Sequence, residues 1–161
     1  MSMLYLVRHA AAEEQQEGRS DAERALTPEG IRKFRRAARG IVRLVGDLPP
    51  EVILTSPLVR ARQTAELLVE AVDAAKVKTE LQISTALEPL GSRDKLLKEA
   101  RSQNTMAVGH EPMFSEWIGE MCFGNAGELE MKKGALAAVE LAGAGRGRLV
   151  FLVQPGVLRE L

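Results

Sequence analysis

Ser2-Met3-Leu4-Tyr5-Leu6-Val7-Arg8-His9-Ala10 sets a continuous apolar run directly against an arginine and a histidine. The run from Leu4 to Val7 has no polar alternation, as expected of a strand buried on both faces of a sheet. No basic stretch precedes it and no small-residue cleavage site follows, so it reads as a first strand and not as a signal peptide. Two later stretches repeat the pattern. Val52-Ile53-Leu54-Thr55 runs into Ser56-Pro57, and Thr105-Met106-Ala107-Val108 runs into Gly109-His110-Glu111-Pro112.

Helices separate these runs. Thr27-Pro28-Glu29 is a helix start, with Thr as cap, Pro at the first helical position and an acid in the first turn. Ile31, Phe34, Ala38, Ile41 and Val45 then form one apolar stripe, ended by Pro49-Pro50. Ser56-Pro57 reads as a second cap-plus-proline start, followed by Leu58, Ala61, Ala65, Leu68 and Val72. A weaker helix is expected over Ser92–Arg101, and another from Pro112 to about Met121. The charged stretch Glu13 to Asp21 reads as a loop. Ala135–Leu141 and Leu149–Val153 read as two further strands. The glycines at 143, 145 and 147 lie between them, where a hairpin turn fits and a dinucleotide loop, which must open a helix, does not. Strand–helix alternation of this kind predicts an α/β fold of three layers, α/β/α, with a mostly parallel sheet and helices on both faces.

Composition narrows the function classes. Twenty-two Lys+Arg balance twenty-two Asp+Glu over 161 residues, with 45% hydrophobic and 27% charged. That is ordinary globular usage and about one domain, residues 1–161, with neither linker nor repeat. A neutral chain argues against nucleic acid as the main partner. No apolar run approaches the roughly 18 residues of a membrane span. The one cysteine, Cys122, can form no internal disulfide, so a cytoplasmic location is expected.

Only two histidines occur, His9 and His110, each directly after a strand or its terminal glycine. In open α/β sheets ligands bind outside the carboxyl ends of the strands. If the three strands are parallel, His9, His110 and the arginines Arg8 and Arg60 arrive at one sheet edge. Guanidinium forks onto phosphate oxygens, which makes a phosphoryl group the expected ligand. A neutral imidazole can attack phosphorus, and a second imidazole, if protonated, balances charge on the equatorial oxygens. A metal is disfavoured, because arginines repel a divalent cation and no carboxylate cluster accompanies the two histidines.

Leu6-Val7-Arg8-His9-Ala10 resembles the Arg-His-Gly signature of the histidine phosphatase (phosphoglycerate-mutase-like) superfamily, with alanine where glycine is usual. Ser56-Pro57-Leu58-Val59-Arg60-Ala61-Arg62-Gln63-Thr64 is similar to its second signature and Gly109-His110 to its third. Arg24-Ala25-Leu26-Thr27-Pro28-Glu29-Gly30 and the short chain resemble the SixA-type phosphohistidine phosphatases. The resemblance implies a phosphoglycerate-mutase-like fold, His9 as nucleophile, and Arg8, Arg60 and His110 as its partners around the phosphoryl group. It selects Arg60 over Arg62 and makes Arg24 a candidate outer contact. No metal and no organic cofactor are implied. The implied substrate is a phosphohistidine-bearing protein such as a phosphotransfer domain.

A small phosphomonoester is the rival substrate, and a catalytically silent phospho-binding module the reading from another class. An alkoxide leaving group needs a proton donor, for which there are two candidates. Glu88 resembles the acid of mutase-like relatives, and Glu111 stands where histidine acid phosphatases carry an aspartate. Resemblance to SixA-type enzymes implies that neither is required, since a phosphoimidazole can leave with its second nitrogen already protonated. Glu13 and Glu14 read as solvated. Arg32, Lys33, Arg35, Arg36, Arg39 and Arg43 read as a solvated helix face, with docking of an acidic partner as the alternative.

Overall fold

The computed structural model describes residues 1–161. In chain order the elements are β1 (Ser2–Arg8), α1 (Pro28–Val45), β2 (Val52–Thr55), α2 (Val59–Ala74), β3 (Glu80–Ile83), α3 (Arg93–Glu99), β4 (Thr105–Gly109), α4 (Met113–Phe123), β5 (Leu136–Gly143), β6 (Arg146–Val153) and α5 (Pro155–Leu158), with 3-10 turns at Asp21–Glu23 and Thr85–Leu87. One six-stranded sheet runs β3-β2-β4-β1-β5-β6. The first four strands are mutually parallel, and β5 and β6 join antiparallel. The architecture is the expected three-layer α/β/α.

The two-residue period of a strand explains the layers. Met3, Tyr5 and Val7 of β1 face one way, packing with α1, α2 and α5 in a core that includes Phe34, Ile41, Leu68 and Leu158. Leu4 and Leu6 face the other way, with Leu87, Leu96, Phe114, Trp117 and Ile118. Thus β1 is buried on both sides, which is why its sequence shows no polar alternation.

Local chemistry places the ends. Thr27 caps α1, its hydroxyl accepting from Gly30 N–H at 2.9 Å. At Gly30 a Cβ would lie 2.3 Å from the Ala11 carbonyl, so glycine lets α1 dock against the segment after His9. The glycine cluster is a hairpin turn, with positive φ at Gly143, Ala144 and Gly145. The second helix departs from expectation. It begins at Val59 and has no side-chain cap, two residues after the predicted Pro57 start. Ser56 is buried and faces His110 instead. β3 was not predicted at all; all four of its residues are exposed.

Candidate active site

Parallel pairing delivers the strand ends to one edge. Arg8 is in register with Gly109, and Thr55 with Val108, so His9, Ser56 and His110 leave three adjacent strands together. Backbone bonds fix them there: His9 N–H donates to Gly109 O at 3.0 Å and Ser56 N–H to Val108 O at 3.0 Å. The loop before β5 closes the other side, its Gly134 N–H donating to Arg8 O and His9 O. The two imidazoles lie 5.3 Å apart, centroid to centroid, tilted by 55°.

His9 is buried, and its Nδ1 lies 2.8 Å from the Ala10 carbonyl. A carbonyl can only accept, so Nδ1 carries the proton. Burial pushes the ring down to about 3, with the His110, Arg60 and Arg8 charges adding to the shift against the Ala10 bond. At neutral pH His9 is therefore uncharged, with an unprotonated Nε2 that has no hydrogen-bond partner. That is the state a nitrogen nucleophile needs.

Arg60, the second residue of α2, is 5% exposed, whereas Arg62 is exposed to solvent. Its Nη1 donates to Asp21 O at 2.9 Å and its Nη2 to Asp21 Oδ2 at 3.1 Å. Arg24 holds the same carboxylate through Nε at 2.8 Å and ties back to Glu13 O at 3.0 Å. Burial raises the Asp21 carboxyl, but its bonds to Arg24 and Arg60 outweigh that and hold it below the usual carboxylate range. Thr64 couples α2 to the His9 segment, accepting from Ala10 N–H at 3.0 Å and donating to Arg60 O at 2.8 Å. Arg8 is tied at one point, Nη1 to Met131 O at 2.8 Å.

His110 contacts Ser56 Oγ through Nε2 at 2.8 Å. Burial, then Arg60 and Arg8, bring its ring down to about 4, with Asp21 opposing. The condition under which the second imidazole would balance charge, that it be protonated, is therefore disfavoured at neutral pH, because desolvation beside two guanidinium groups disfavours another cation.

Of the five buried side-chain polar atoms without a partner in the whole chain, three belong to this cluster: Arg8 Nε, Arg60 Nε and His110 Nδ1. Buried polar groups are nearly always hydrogen-bonded, so each orphan calls for an explanation, and an anion is one that serves all three. The arginines share a design. Terminal nitrogens are anchored to the protein while the Nε edge is left free.

The candidate acids separate. Glu88 is exposed, and its carboxylate makes neither a hydrogen bond nor an ion pair. Glu111 is half-buried and touches the site electrostatically, its charge together with that of Glu130 acting on Arg8. Ser115 N–H donates to Glu111 Oε1 at 3.0 Å and the Ser115 hydroxyl bonds Oε2. Burial nevertheless raises the Glu111 carboxyl, and those bonds and Arg8 offset it only in part. Glu13 and Glu14 are exposed. No group of three or more His, Cys, Asp or Glu side chains is arranged to hold a metal ion, and no helix is long and apolar enough to cross a membrane.

Sequence reasoning missed Asp21, Thr64 and the inward role of Ser56. The signals available were the Asp21–Arg24 spacing of three and a Thr four residues after Arg60; neither carries meaning until the fold is known.

Comparison with known proteins supplies a frame. The profile of the histidine phosphatase superfamily (branch 1) matches residues 4–88. An uncharacterized protein from Picosynechococcus sp. is 35% identical over 150 residues, covering 89% of this chain and 87% of that one. Among solved structures, the protein histidine phosphatase SixA complexed with tungstate aligns with a TM-score of 0.78 at 23% identity, over 97% of this chain and 99% of that chain. A mutant phosphoserine phosphatase from Entamoeba histolytica in complex with phosphoserine aligns with a TM-score of 0.71 at 15% identity, over 96% of this chain and 98% of that chain. At these identities the two structures are similar to this chain in fold.

Proposed function

Because the chain belongs to the histidine phosphatase superfamily, we propose that residues 1–161 act as one domain that hydrolyses a phosphohistidine on a protein through a covalent phospho-His9 intermediate. The observation that carries this reading is the set of three unpartnered buried nitrogens, Arg8 Nε, Arg60 Nε and His110 Nδ1, beside a buried histidine that is uncharged at neutral pH and has its Nε2 free.

In the proposed cycle the Nε2 lone pair of His9 forms a bond to phosphorus as the bond from phosphorus to the substrate imidazole breaks. The leaving imidazole takes the bonding pair, and its other nitrogen is already protonated, so it departs neutral without a donated proton. The free donors of Arg8, Arg60 and His110 bind the equatorial oxygens, where negative charge concentrates. Water then attacks phosphorus, the bond to Nε2 breaks, and phosphate leaves. No step uses a metal or an organic cofactor. The SixA likeness supports the choice of a phosphoprotein substrate.

A second reading has its own observation. The raised carboxyl of Glu111 beside Arg8 is what protonation of an alkoxide leaving group requires, so a small phosphomonoester is the rival substrate. One side-by-side assay separates the readings. Turnover of a phosphohistidine-bearing phosphotransfer domain well above a phosphomonoester panel supports the first, and the reverse order supports the second. His9→Ala should abolish turnover, a loss of at least about 1,000-fold, while inorganic phosphate still binds. Rapid quench of the parent should trap an acid-labile, alkali-stable phosphoenzyme. If none forms and no substrate turns over, the chain is a phospho-binding module and both enzymatic readings fail.

A further inference from the structure

Ser56 was expected to cap α2, yet its hydroxyl serves His110. We propose that Ser56 is a positioning residue that holds His110 as the neutral Nδ1–H tautomer, so that Nδ1 can donate to a phosphoryl oxygen. The proposal rests on reading His110 as a phosphate-binding residue.

Counting donors and acceptors leads to that tautomer. Ser56 is fully buried, with 0% exposure, and its Oγ has two neighbours: Leu58 N–H, which donates to it at 3.2 Å, and His110 Nε2 at 2.8 Å. If Nε2 carried the proton, it too would donate to Oγ. The hydroxyl hydrogen would then be buried with no acceptor, since no other partner lies within reach. If the hydroxyl donates to a bare Nε2, the oxygen accepts from Leu58, the hydrogen is placed and nothing on Ser56 is left over. The ring's proton must then sit on Nδ1, the one nitrogen of His110 that is buried without a partner.

Function favours the same arrangement. A bare Nδ1 would meet a phosphoryl oxygen lone pair to lone pair, whereas Nδ1–H meets it as a donor. The doubly protonated ring leaves the Ser56 hydrogen orphaned again, and the depressed titration of His110, to about 4, keeps that form scarce at neutral pH. The hydroxyl oxygen still accepts from Leu58 N–H, ahead of the helix, which begins at Val59 without a side-chain cap.

The chain has two histidines, so its imidazole spectrum holds only four nitrogens. In long-range proton–nitrogen correlation spectra of the 15N-labelled protein at pH 7, both rings should show a protonated Nδ1 and an unprotonated Nε2. Ser56→Ala should shift His110 toward the other tautomer, leave His9 unmoved, weaken inorganic phosphate binding about tenfold, and raise KM for para-nitrophenyl phosphate more than it lowers kcat. Ser56→Thr, which keeps the hydroxyl, should restore the tautomer and the affinity. A parent His110 protonated at Nε2 overturns the proposal without any variant being made. So does a Ser56→Ala protein whose tautomer and phosphate affinity match the parent. A parent ring with the expected tautomer but no phosphate affinity overturns the functional reading of the site while the tautomer assignment stands.

Discussion

Two sets of cations share this molecule and behave oppositely. Along α1, Arg32, Lys33, Arg35, Arg36, Arg39 and Arg43 are all exposed, and five of the six have neighbours that satisfy them. Arg32 and Lys33 pair with Glu29, Arg35 pairs with Glu70, and Arg36 and Arg43 donate to the backbone carbonyls of Arg159 and Leu161. At the strand ends there are only Arg8 and Arg60, drawn into the protein, anchored at terminal nitrogens and left with an unpartnered Nε each. Charge in water is cheap to keep and screened by salt. A desolvated donor without a partner costs free energy in the resting protein, and a ligand can return it. The difference teaches that the number of cations on a surface says little about where an anion binds, whereas the donors a fold leaves unsatisfied say a good deal.

The largest effect expected outside the nucleophile itself tests that contrast within a single helix. Arg60→Ala should lower kcat/KM by about 100- to 1,000-fold and weaken inorganic phosphate binding, by analogy with loss of one donor to a developing anion. Arg62→Ala, two residues on and exposed, should stay within about twofold. Steady-state assays with para-nitrophenyl phosphate and calorimetric titration with phosphate check both. Equal losses at the two positions would break the distinction between buried and solvated arginines.

Acid stability comes next. His9 titrates at about 3 and His110 at about 4 in the fold, both chiefly through burial, against roughly 6.5 for a free imidazole. As pH falls below about 6.5 the unfolded chain takes up protons that the folded chain refuses, so stability drops with falling pH and the drop continues toward pH 4. The depressed carboxyls of Asp21 and Glu29 act in a lower window, their contribution being lost only below about pH 4. The two histidines should together remove a few kcal/mol, in order of magnitude, between pH 6.5 and 4.5. Urea unfolding at stepped pH measures this, and a His9→Gln/His110→Gln protein should lack that part of the slope. Parallel profiles for parent and double variant would mean that the rings are not buried neutral.

Asp21 should have a smaller effect and act through its partner. Asp21→Ala frees the end of Arg60, and KM for para-nitrophenyl phosphate should rise about tenfold. In an Arg60→Ala background the same substitution should change little, because the group it orients is gone. An undiminished effect in that background would show that Asp21 acts elsewhere.

What the sequence disclosed follows from the range of the interactions. β1, β2 and β4 were legible because a strand buried on both faces must be a continuous apolar run, and the histidines were legible because they end those runs. β3 was not, because Glu80-Leu81-Gln82-Ile83 lies at an exposed edge and is a strand through its pairing with β2, not through its own pattern. Ser56-Pro57 satisfies the local rule for a cap, and Ser56 does accept from Leu58 N–H, but α2 begins only at Val59, and the hydroxyl's other contact, with His110 54 residues away, leaves no local sign. Asp21 was out of reach for the same reason: it meets Arg60 across 39 residues from within a charged loop that resembles any other. Local patterns specify elements. The anchors that aim a functional side chain are tertiary, and they leave no period to read.

The smallest effect belongs to α1, and it can still sharpen the contrast. Arg39 alone among the six cations has neither a hydrogen bond nor an ion pair, and the pair between Arg32 and Glu29 is long, at 3.8 Å, between largely exposed side chains. Reversing both, Arg32→Glu with Arg39→Glu, should leave turnover of para-nitrophenyl phosphate within about twofold, because solvated charges this exposed contribute little to the fold or to the pocket. The informative arm uses a phosphohistidine-bearing protein at low and high salt. If the helix face is only solvated, the charge-reversed protein matches the parent at both. A kcat/KM that falls on reversal at low salt and recovers as salt rises would make α1 a steering surface for an acidic partner. In that case the two sets of cations divide the labour, one bringing the phosphoprotein in and the other holding its phosphoryl group.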